Sequence, residues 1–286
     1  EDGFDRVDGH TSRGGAAFCL EPTPEGELIV LKHGPRKMPV LYTHLIPATF
    51  GGKARMNIAN ALAAAAAAWA AGAHLHDIRQ GLRTFSTSFF QAPGRLNLLD
   101  VGGIRVVIDY CHNVDGMRQL ADFVNRMMAE PVSMPGRVAV GDGKNGRSGA
   151  ASSRRGRAIG VIGIPGDRRD EDQREYGAIA ATAFDEIIVR EDKNLRGRPP
   201  GEAAKNVSDG VRDARAAGGA RAVRADKMLD EMAAVRTALR RAASGDLVVC
   251  CVDDAVGVYR EAMAAAGSSR GTTAFADPGE LEAPEG

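Results

Sequence analysis

The sequence lacks the features that mark several classes of protein. Its 286 residues include four cysteines, Cys19, Cys111, Cys250 and Cys251, whose spacing gives neither a CxxC pair nor a zinc-binding pattern. This scarcity excludes a disulfide-rich secreted scaffold and favours buried free thiols in a reducing compartment, which we expect to be the cytoplasm. The chain starts with Glu1 rather than methionine and shows no signal-peptide pattern. We therefore expect it to be a piece of a longer protein.

Net charge is also absent. Lys plus Arg and Asp plus Glu both number 37, so the formal net charge is zero. A neutral chain has no broad electrostatic attraction for nucleic acid or an anionic membrane, and we expect neither as a partner. The longest apolar run, residues 58–73, is nearly all alanine and too short to span a bilayer comfortably. Because alanine is the best helix former and Gly72 a plausible stop, this run predicts a buried helix.

The common catalytic motifs are missing. There is no Gly-x-Ser-x-Gly elbow, no metal-binding histidine pair and no intact dinucleotide fingerprint. One near match, GDGKNGRS at 141–148, differs from the phosphate-loop pattern GxxxxGK[ST] because Arg147 replaces the lysine. A true phosphate loop opens into an amphipathic helix, whereas no apolar stripe follows here. Residues 141–157 therefore predict an exposed insertion loop.

The patterning that is present predicts an α/β fold. Apolar residues make up 44% of the chain, enough for a real core. Residues 1 to about 50 predict a β-rich region, and a Ser- and Thr-rich linker spans 85–94. Strands are predicted at 16–20, 27–32, 38–43, 105–109, 158–164, 186–190 and 246–252, and further helices at 77–84, 115–128, 170–183, 226–243 and 254–265. The later alternation is typical of a Rossmann-like, doubly wound, mostly parallel sheet.

One stretch, RVVIDYCHN at 105–113, carries the strongest polar signal. A β-branched run ends there in Asp109, followed by His112 and Asn113. In open parallel sheets, ligands bind at the carboxyl ends of strands, which predicts a nucleotide or substrate site. The alternative is a plain strand–turn–helix junction in which Asn113 or Asp115 only caps the helix. Spacing alone leaves both interpretations open.

Three other polar sets stand near predicted turns. Asn57 and Asn60 share one helix face, although a helix cap plus one solvated amide would give the same spacing. Arg95 follows a Pro-Gly pair and is a weak signal alone. The run PGDRRD at 165–170 follows a predicted strand, and two arginines at such a position can bind phosphate or carboxylate. A solvated charge run that caps a helix is the alternative for this set.

Five ordered blocks make the chain resemble the Mur ligase family. They are THLIPATFGGKARMNIANALAAAAAA, GLRTFSTSFFQAPGRLN, VVIDYCHN, PGDRRDED and IIVREDKNLRGR. Their order and spacing, from near the start to about residue 265, are hard to obtain by chance. Two positions depart from the family pattern: Met56 replaces a histidine that often precedes the first asparagine, and Val114-Asp115 replaces a small residue or proline.

The resemblance implies a mechanism. Mur-type ligases use ATP and Mg²⁺ to phosphorylate a carboxylate, and an amine then attacks the acyl phosphate. The EDKNLRGR segment favours a member that adds arginine to the β-carboxylate of aspartate in a poly-aspartate chain, within a homo-oligomer whose preceding ATP-grasp half adds the aspartates. The alternatives are a folate-polyglutamate or peptidoglycan-precursor ligase, and a non-catalytic nucleotide-binding domain.

The resemblance also implies roles for individual residues. Those matched to the catalytic group are Arg95, Asp109 and His112. Those matched to nucleotide contacts are Asn57 and Asn60 near the adenine, Arg95 near the phosphates, and Asp109 with Asn113 in the motif that closes over the nucleotide. Those matched to the amino-acid or polymer substrate are Asp167, Arg168, Asp170, Arg196 and Arg198.

The resemblance implies boundaries and an absence. We expect the distal part of a central ATP-binding domain at 1–91, a C-terminal domain at 92–267 and a disordered tail at 268–286. The family's phosphate loop and metal ligands lie before the position matching Glu1. We therefore expect no metal ligand in this chain, and no ligation by these 286 residues alone.

Overall fold

The structure is a computed structural model that describes residues 2–129 and 156–268. The predicted insertion loop at 141–157, apart from its last two residues, lies outside the described residues, and so does the predicted tail after residue 268. Within the described ranges, no helix has the length and apolar character needed to cross a membrane.

The chain begins with a helix and a small antiparallel sheet. These elements are α1 (Asp2–Ser12), β1 (Ala16–Thr23), β2 (Gly26–His33) and β3 (Arg36–Tyr42), and the strands pair in the order β1-β2-β3. The three predicted strands are confirmed. Helix α1 was not predicted, and the region is otherwise β-rich as expected. The helix ends because Gly14 takes a φ of 87°, a backbone conformation that suits glycine.

Two helices follow this sheet after two short 3₁₀ turns. They are α2 (Arg55–Ala70) and α3 (Leu75–Thr84). The alanine-rich run does form the predicted helix, but the prediction that it is buried was wrong. Within α2 the buried residues are Ile58, Ala61 and Ala65, on one face, and other alanines lie exposed. Short alanine side chains reach the core only along the face that points directly at it.

The second half of the chain forms a six-stranded sheet. Its strands are β4 (Asn97–Val101), β5 (Ile104–Asp109), β6 (Ala158–Ile162), β7 (Glu186–Val189), β8 (Arg224–Lys227) and β9 (Leu247–Cys251). Its helices are α4 (Val114–Ala129), α5 (Asp170–Ala183), α6 (Glu202–Ala216), α7 (Glu231–Arg241) and α8 (Ala255–Ser268). The order is β4-β5-β9-β6-β7-β8, with β4 antiparallel to β5 and the other pairs parallel.

Helices cover both faces of this sheet. One core cluster contains side chains of α4, α5 and α6, among them Phe123, Tyr176 and Val207, and the other contains Val235 of α7 and Val258 of α8. Every residue of β6, β7 and β9 is buried, as expected for parallel strands covered on two sides. The α/β prediction with a doubly wound, mostly parallel sheet is confirmed.

The second half of the chain differs from the prediction in several elements. Strands β4 and β8 and helix α6 were not predicted. Asp226 lies in β8 rather than in the helix predicted for 226–243. Helix α7 begins at Glu231 because the Asp230 carboxylate accepts the Ala233 N–H at 2.7 Å and caps the helix. The short β8 carries no apolar pattern and is a strand because it pairs with β7 at the sheet edge.

The segment at the start of α2 packs into the core of the six-stranded sheet, while the three-stranded sheet has a separate core with α2 and α3. Phe50, just before α2, lies against Phe123 of α4 with ring centroids 5.4 Å apart. Ala54 is fully buried in the same cluster. These contacts place the start of α2 beside the face of the six-stranded sheet that α4 covers. The boundary at 91/92 stays a prediction.

Candidate functional site

The loops that follow β5, β6, β7 and β9 emerge at the same edge of the sheet, since these strands are parallel. This carboxyl edge gathers most of the residues that the sequence singles out. Asp109 ends β5, residues 165–170 follow β6, and residues 190–198 follow β7. The edge is therefore where a ligand site would form.

Asp109 joins the turn before β4 to the loop after β5. Its Oδ2 accepts the backbone N–H of Leu96 at 2.9 Å, and its Oδ1 accepts that of Cys111 at 2.8 Å. Burial raises the pKa of Asp109, while these two N–H groups and the nearby Arg95 act in the opposite direction. Since both oxygens bind backbone, Asp109 fixes the position of the Pro-Gly-Arg turn relative to the loop after β5.

The buried side-chain amide of Asn97 holds the turn that carries Arg95. The Oδ1 of Asn97 accepts the Gly94 N–H at 2.7 Å, and its Nδ2 donates to the carbonyls of Ala92 and Thr87 at 2.7 and 2.9 Å. Arg95 itself is exposed. Its side chain therefore extends from a rigid turn toward solvent.

Arg95, Tyr110 and His112 form a row on this surface. The Arg95 guanidinium carbon lies 5.6 Å from the centroid of the Tyr110 ring, within cation–π range. Tyr110 also meets the His112 ring edge-on at 5.2 Å. Tyr110 is 36% exposed. The three side chains thus offer a cation, an aromatic face and an imidazole ring close together.

Asn113 caps the helix that follows. Its Oδ1 accepts the Gly116 N–H at 2.7 Å at the start of α4. The capping interpretation is therefore confirmed for Asn113. A nucleotide contact through its amide nitrogen stays a prediction.

The loops after β6 and β7 are joined by ion pairs. Arg196 binds Asp167 at 2.7 Å, and this guanidinium lowers the pKa of the Asp167 carboxyl. Arg168 lies within ion-pair distance of Asp167, 4.0 Å at its nearest approach. Its Nε is buried and has no hydrogen-bond partner.

Arg198 is a structural clamp in this loop pair. Its Nε donates to the Gly166 carbonyl at 2.7 Å, and one terminal nitrogen donates to the Arg168 carbonyl at 3.0 Å. The other terminal nitrogen pairs with Asp170 at 2.7 Å and Glu202 at 2.8 Å. Asp170 is thus tied to Arg198, and α5 has no side-chain cap at its start. The substrate contacts assigned to Arg198 and Asp170 stay predictions.

A buried arginine, Arg190, joins the ends of two strands at this edge of the sheet. Arg190, 2% exposed, donates to the Cys251 carbonyl at 3.0 Å and pairs with Asp253 at 2.8 Å and Glu231 at 3.4 Å. The ends of β7 and β9 are thereby fixed to the start of α7. In contrast to Arg95 and Arg168, this guanidinium is fully engaged.

Three non-glycine residues with left-handed backbone lie in the site segments. They are Phe50, Leu96 and Arg196, with φ of 53°, 52° and 50°. Each such residue costs about 1 kcal/mol or more, and such strain clusters where a side chain must be held in a defined position. Leu96 follows Arg95 directly, and Arg196 is itself a candidate residue.

Asn57 and Asn60 stand apart from this row. The Nδ2 of Asn57 donates to the Ala48 carbonyl at 2.6 Å, and Asn60 donates to Asn57 at 3.3 Å. Helix α2 has no side-chain cap, so the capping interpretation of Asn57 was wrong. The two amides line one end of a largely apolar cavity of about 370 Å³ between α2 and α3. Within 2–129 and 156–268, no hydrogen bond, ion pair or ring contact joins them to Arg95 or Asp109.

The described residues do not fit a metal ion by themselves. Among them, no group of three or more His, Cys, Asp or Glu side chains could hold one. All four cysteines are free, and Cys111, Cys250 and Cys251 are buried, as predicted, while Cys19 is partly buried.

Sequence reasoning assigned no role to Tyr110 or Asn97. Tyr110 could have been noticed as the aromatic between Asp109 and His112, and Asn97 as an amide two residues after the turn arginine. Two buried side chains of α5, Gln173 and Tyr176, were also missed, since both read as ordinary core or surface positions.

Comparison with curated proteins finds extended similarity to cyanophycin synthetases. The chain is 36% identical over 243 residues to that of Crocosphaera subtropica, covering 85% of this chain and 24% of the relative. It is 40% identical over 205 residues to that of a Synechocystis species, covering 72% of this chain and 20% of the relative. The chain thus spans about a quarter or less of the length of these relatives. No protein-family model matches.

Solved structures share the fold. A murein peptide ligase from Psychrobacter arcticus matches with a TM-score of 0.54 at 16% identity, covering 91% of this chain and 45% of that one. A bifunctional folylpolyglutamate synthase/dihydrofolate synthase from Yersinia pestis, complexed with AMPPNP and a manganese ion, matches with a TM-score of 0.54 at 20% identity. That match covers 87% of this chain and 46% of the other. At such identities the likeness is evidence of fold alone.

Proposed function

Because this chain belongs to the Mur ligase family and matches cyanophycin synthetases along most of its length, we propose that it forms one wall of an ATP-dependent amide-ligation site. In this proposal the carboxyl edge of the six-stranded sheet faces ATP and an incoming amino acid. The amino acid is arginine, and its acceptor is the β-carboxylate of an aspartate in a poly-aspartate chain.

The observation that carries the proposal is the pair of hydrogen bonds that Asp109 accepts from the backbone N–H groups of Leu96 and Cys111. These bonds fix the backbone that carries Arg95, whose guanidinium lies against the Tyr110 ring. A cation held in place in this way can stabilise phosphate charge without reorganising during the reaction. Asp109 acts here by position, and the direct catalytic role that the resemblance implies for it stays a prediction.

The residues present suit the anionic part of a nucleotide. Arg95 is exposed and has no ion-pair partner within the described residues, so it would bind phosphate oxygens. Mg²⁺, the natural candidate beside ATP, is usually held by one or two carboxylates together with phosphate oxygens and water. Among the described residues no cluster of three or more His, Cys, Asp or Glu side chains would hold it alone.

The proposed reaction requires that phosphate charge be neutralised and that water be excluded from the acyl phosphate. ATP would supply the phosphoryl group that activates the carboxylate, and the incoming amine would then displace phosphate. Arg95 would bind phosphate oxygens, and the Tyr110 ring would exclude water from one side. An acyl phosphate is hydrolysed readily, so a rigid and partly apolar wall protects it.

The loop pair after β6 and β7 suits the amino-acid end of the site. Arg168 offers a guanidinium group to a carboxylate, and Arg196 and Asp167 form a partly exposed ion pair at 2.7 Å whose two members could exchange partners with a zwitterionic amino acid. An amino acid such as arginine carries both kinds of charge. This assignment rests on charge complementarity together with the segment EDKNLRGR.

We propose that these 286 residues do not ligate by themselves. Their sequence holds no intact GxxxxGK[ST] loop, and the near match at 141–148 lies outside the described residues. The longer relatives have ample further chain to contribute the opposite wall, and we propose association of complete chains into a homo-oligomer.

An amino-acid screen tests the function. ADP release by the complete polypeptide that contains this chain is measured with each amino acid, on a poly-aspartate acceptor. We expect release that depends on arginine. Dependence on glutamate with a folate acceptor, or on a peptidoglycan precursor, would replace arginine addition with another member of the family.

The non-catalytic alternative is supported by the missing phosphate loop, since the sequence holds no intact GxxxxGK[ST] run. It predicts that ATP binds to the chain, as measured by isothermal titration, while no amino acid stimulates ADP release by the complete polypeptide.

A further inference from the structure

Two side chains of α5, Gln173 and Tyr176, each reach a different loop of the site. Both are 0% exposed. They are three residues apart and therefore lie on the same face of the helix, one turn from each other. This face points toward the carboxyl edge, where the loops after β5 and β6 begin.

Tyr176 holds the loop after β5. Its hydroxyl donates to the Cys111 carbonyl at 2.9 Å, and the Cys111 N–H is bonded to Asp109 at 2.8 Å. The residue between Tyr110 and His112 is thus fixed at both ends of its backbone. A rotation there would move the Tyr110 ring away from Arg95.

Gln173 holds the loop after β6. Its Nε2 donates to the Pro165 carbonyl at 3.4 Å, and its Oε1 accepts Nδ2 of Asn206 from α6 at 2.9 Å. The same Pro165 carbonyl accepts the Arg168 N–H at 3.3 Å. Gln173 therefore supports the turn that carries Asp167 and Arg168.

Close helix packing brings Asn206 to Gln173. A Cβ on Gly177 of α5 would collide with the Val207 backbone, and one on Gly210 of α6 would collide with the Arg174 backbone. The two glycines thus allow the helices to approach closely, and the buried amides meet as a result. A buried polar group without a partner is costly, so this chain of hydrogen bonds is retained as a unit.

We propose that Tyr176 and Gln173 are positioning residues that separately align the nucleotide-facing loop and the amino-acid-facing loop from one helix. The inference rests on the proposed function and adds two residues to it. Helix α5 then acts as a common support, through which the two loops keep a fixed relative position.

The test uses Tyr176→Phe and Gln173→Met in the complete polypeptide. Tyr176→Phe removes one hydrogen bond and Gln173→Met removes two, and each change should raise a KM about threefold to tenfold. We expect Tyr176→Phe to raise the KM for ATP and leave that for arginine, and Gln173→Met to do the reverse. The matched controls are Tyr42→Phe, at a half-buried tyrosine far from these loops in the sequence, and Gln119→Met at an exposed position, which should change neither. A rise of both KM values by each variant, or of neither, would overturn the proposal.

Hydrogen exchange on the 286-residue chain separates this inference from the proposed function. We expect Tyr176→Phe to speed exchange of the amides at 110–113 and spare those at 166–168, and Gln173→Met to do the opposite. Uniform acceleration in both loops contradicts the inference even if arginine-dependent turnover is present. Selective acceleration in a polypeptide without such turnover keeps the positioning roles and rejects the ligase function.

Discussion

The two edges of the six-stranded sheet differ in how their arginines are paired. At the amino edge, Arg157 pairs with Glu186 and Asp246, and Arg221 makes two 2.7 Å bonds to Asp185. At the carboxyl edge, Arg95 is exposed, lies against an aromatic ring and has no ion-pair partner within the described residues. A buried guanidinium nitrogen without a hydrogen-bond partner occurs at both edges, in Arg157 and in Arg168, so the contrast rests on Arg95. An exposed arginine of this kind is available to a ligand, and for this reason the proposed function places the site at the carboxyl edge.

The carboxyl edge itself divides into two kinds of support. The loop after β5 is held by neutral backbone donors and acceptors bonded to Asp109 and Tyr176. The loops after β6 and β7 are joined by partly exposed ion pairs of Arg196 and Arg198. Salt weakens exposed ion pairs more than buried hydrogen bonds. We therefore expect the loops after β6 and β7 to change their relative position more readily than the loop after β5.

The largest effect is expected from breaking the amino edge. The Asp246 carboxylate is fully buried and accepts the N–H groups of Arg157 and Ala243 as well as the Arg157 guanidinium. Asp246→Ala should cost about 3 kcal/mol of unfolding free energy, because it leaves the N–H groups of Arg157 and Ala243 unpaired and removes one of the two carboxylates that pair with the Arg157 guanidinium. Urea unfolding of the 286-residue chain measures this loss.

The control for that experiment is Asp122→Ala, which removes an exposed pair with Arg126 inside α4. It should cost about 0.5 kcal/mol or less. Equal losses for the two variants would contradict the view that the amino edge is the stabilising one.

A smaller effect is expected from the clamp at the carboxyl edge. Arg198→Met removes two bonds to carbonyls, from Gly166 and Arg168, and should cost about 2 kcal/mol. The loss should shrink in high salt, since part of it comes from ion pairs. Chemical unfolding at two salt concentrations measures it, with the exposed Arg224→Met as control. A loss no larger than the control's would mean that Arg198 is not a clamp.

The pKa values of Asp109 and Asp167 should lie on opposite sides of the ordinary aspartate value. Burial raises the pKa of Asp109, so the stability it contributes is full below about pH 3.9 and is lost as the pH rises through its folded pKa. Arg196 lowers the pKa of Asp167, whose contribution is present above that pH and is lost as the pH falls through its folded pKa. Carboxyl-carbon NMR should place Asp109 above Asp167, and the reverse order would contradict this account.

The smallest effect is expected from Arg196→Ala. It removes the guanidinium that lowers the pKa of Asp167, and that pKa should rise toward the ordinary aspartate value. The pKa of Asp109 should not move, because its shift comes from burial. A shift of both carboxyls would mean that the two loops are electrostatically one unit, which the same NMR titration would reveal.

Much of the architecture could be predicted from the sequence. Strands such as β9 are continuous apolar runs, and helices such as α4 show a clear apolar face, so their types follow from periodicity. Helix α6 was missed because it contains Ser208, Asp209 and Gly210, which weaken the helical pattern. Its stability comes from close packing on α5, which no local pattern reports.

The candidate site could likewise be predicted only in part from the sequence. The positions of Arg95, Asp109 and His112 followed from the motif blocks, and the structure brings them together at one edge. The partners of Asp109 could not be predicted, since they are backbone groups brought near by the β4–β5 hairpin and the turn before it. The clamp made by Arg198 and the support from Tyr176 likewise depend on tertiary contacts.

The measurement that tests the central claim most directly is the separate assay of arginine and aspartate addition in the complete polypeptide. Arg95→Ala and Asp109→Ala should abolish arginine addition, because one removes the phosphate-facing cation and the other its support, while aspartate addition continues. The exposed Arg83→Ala should change neither activity. Unchanged arginine incorporation in both site variants would contradict the assignment of the carboxyl edge as the ligation site.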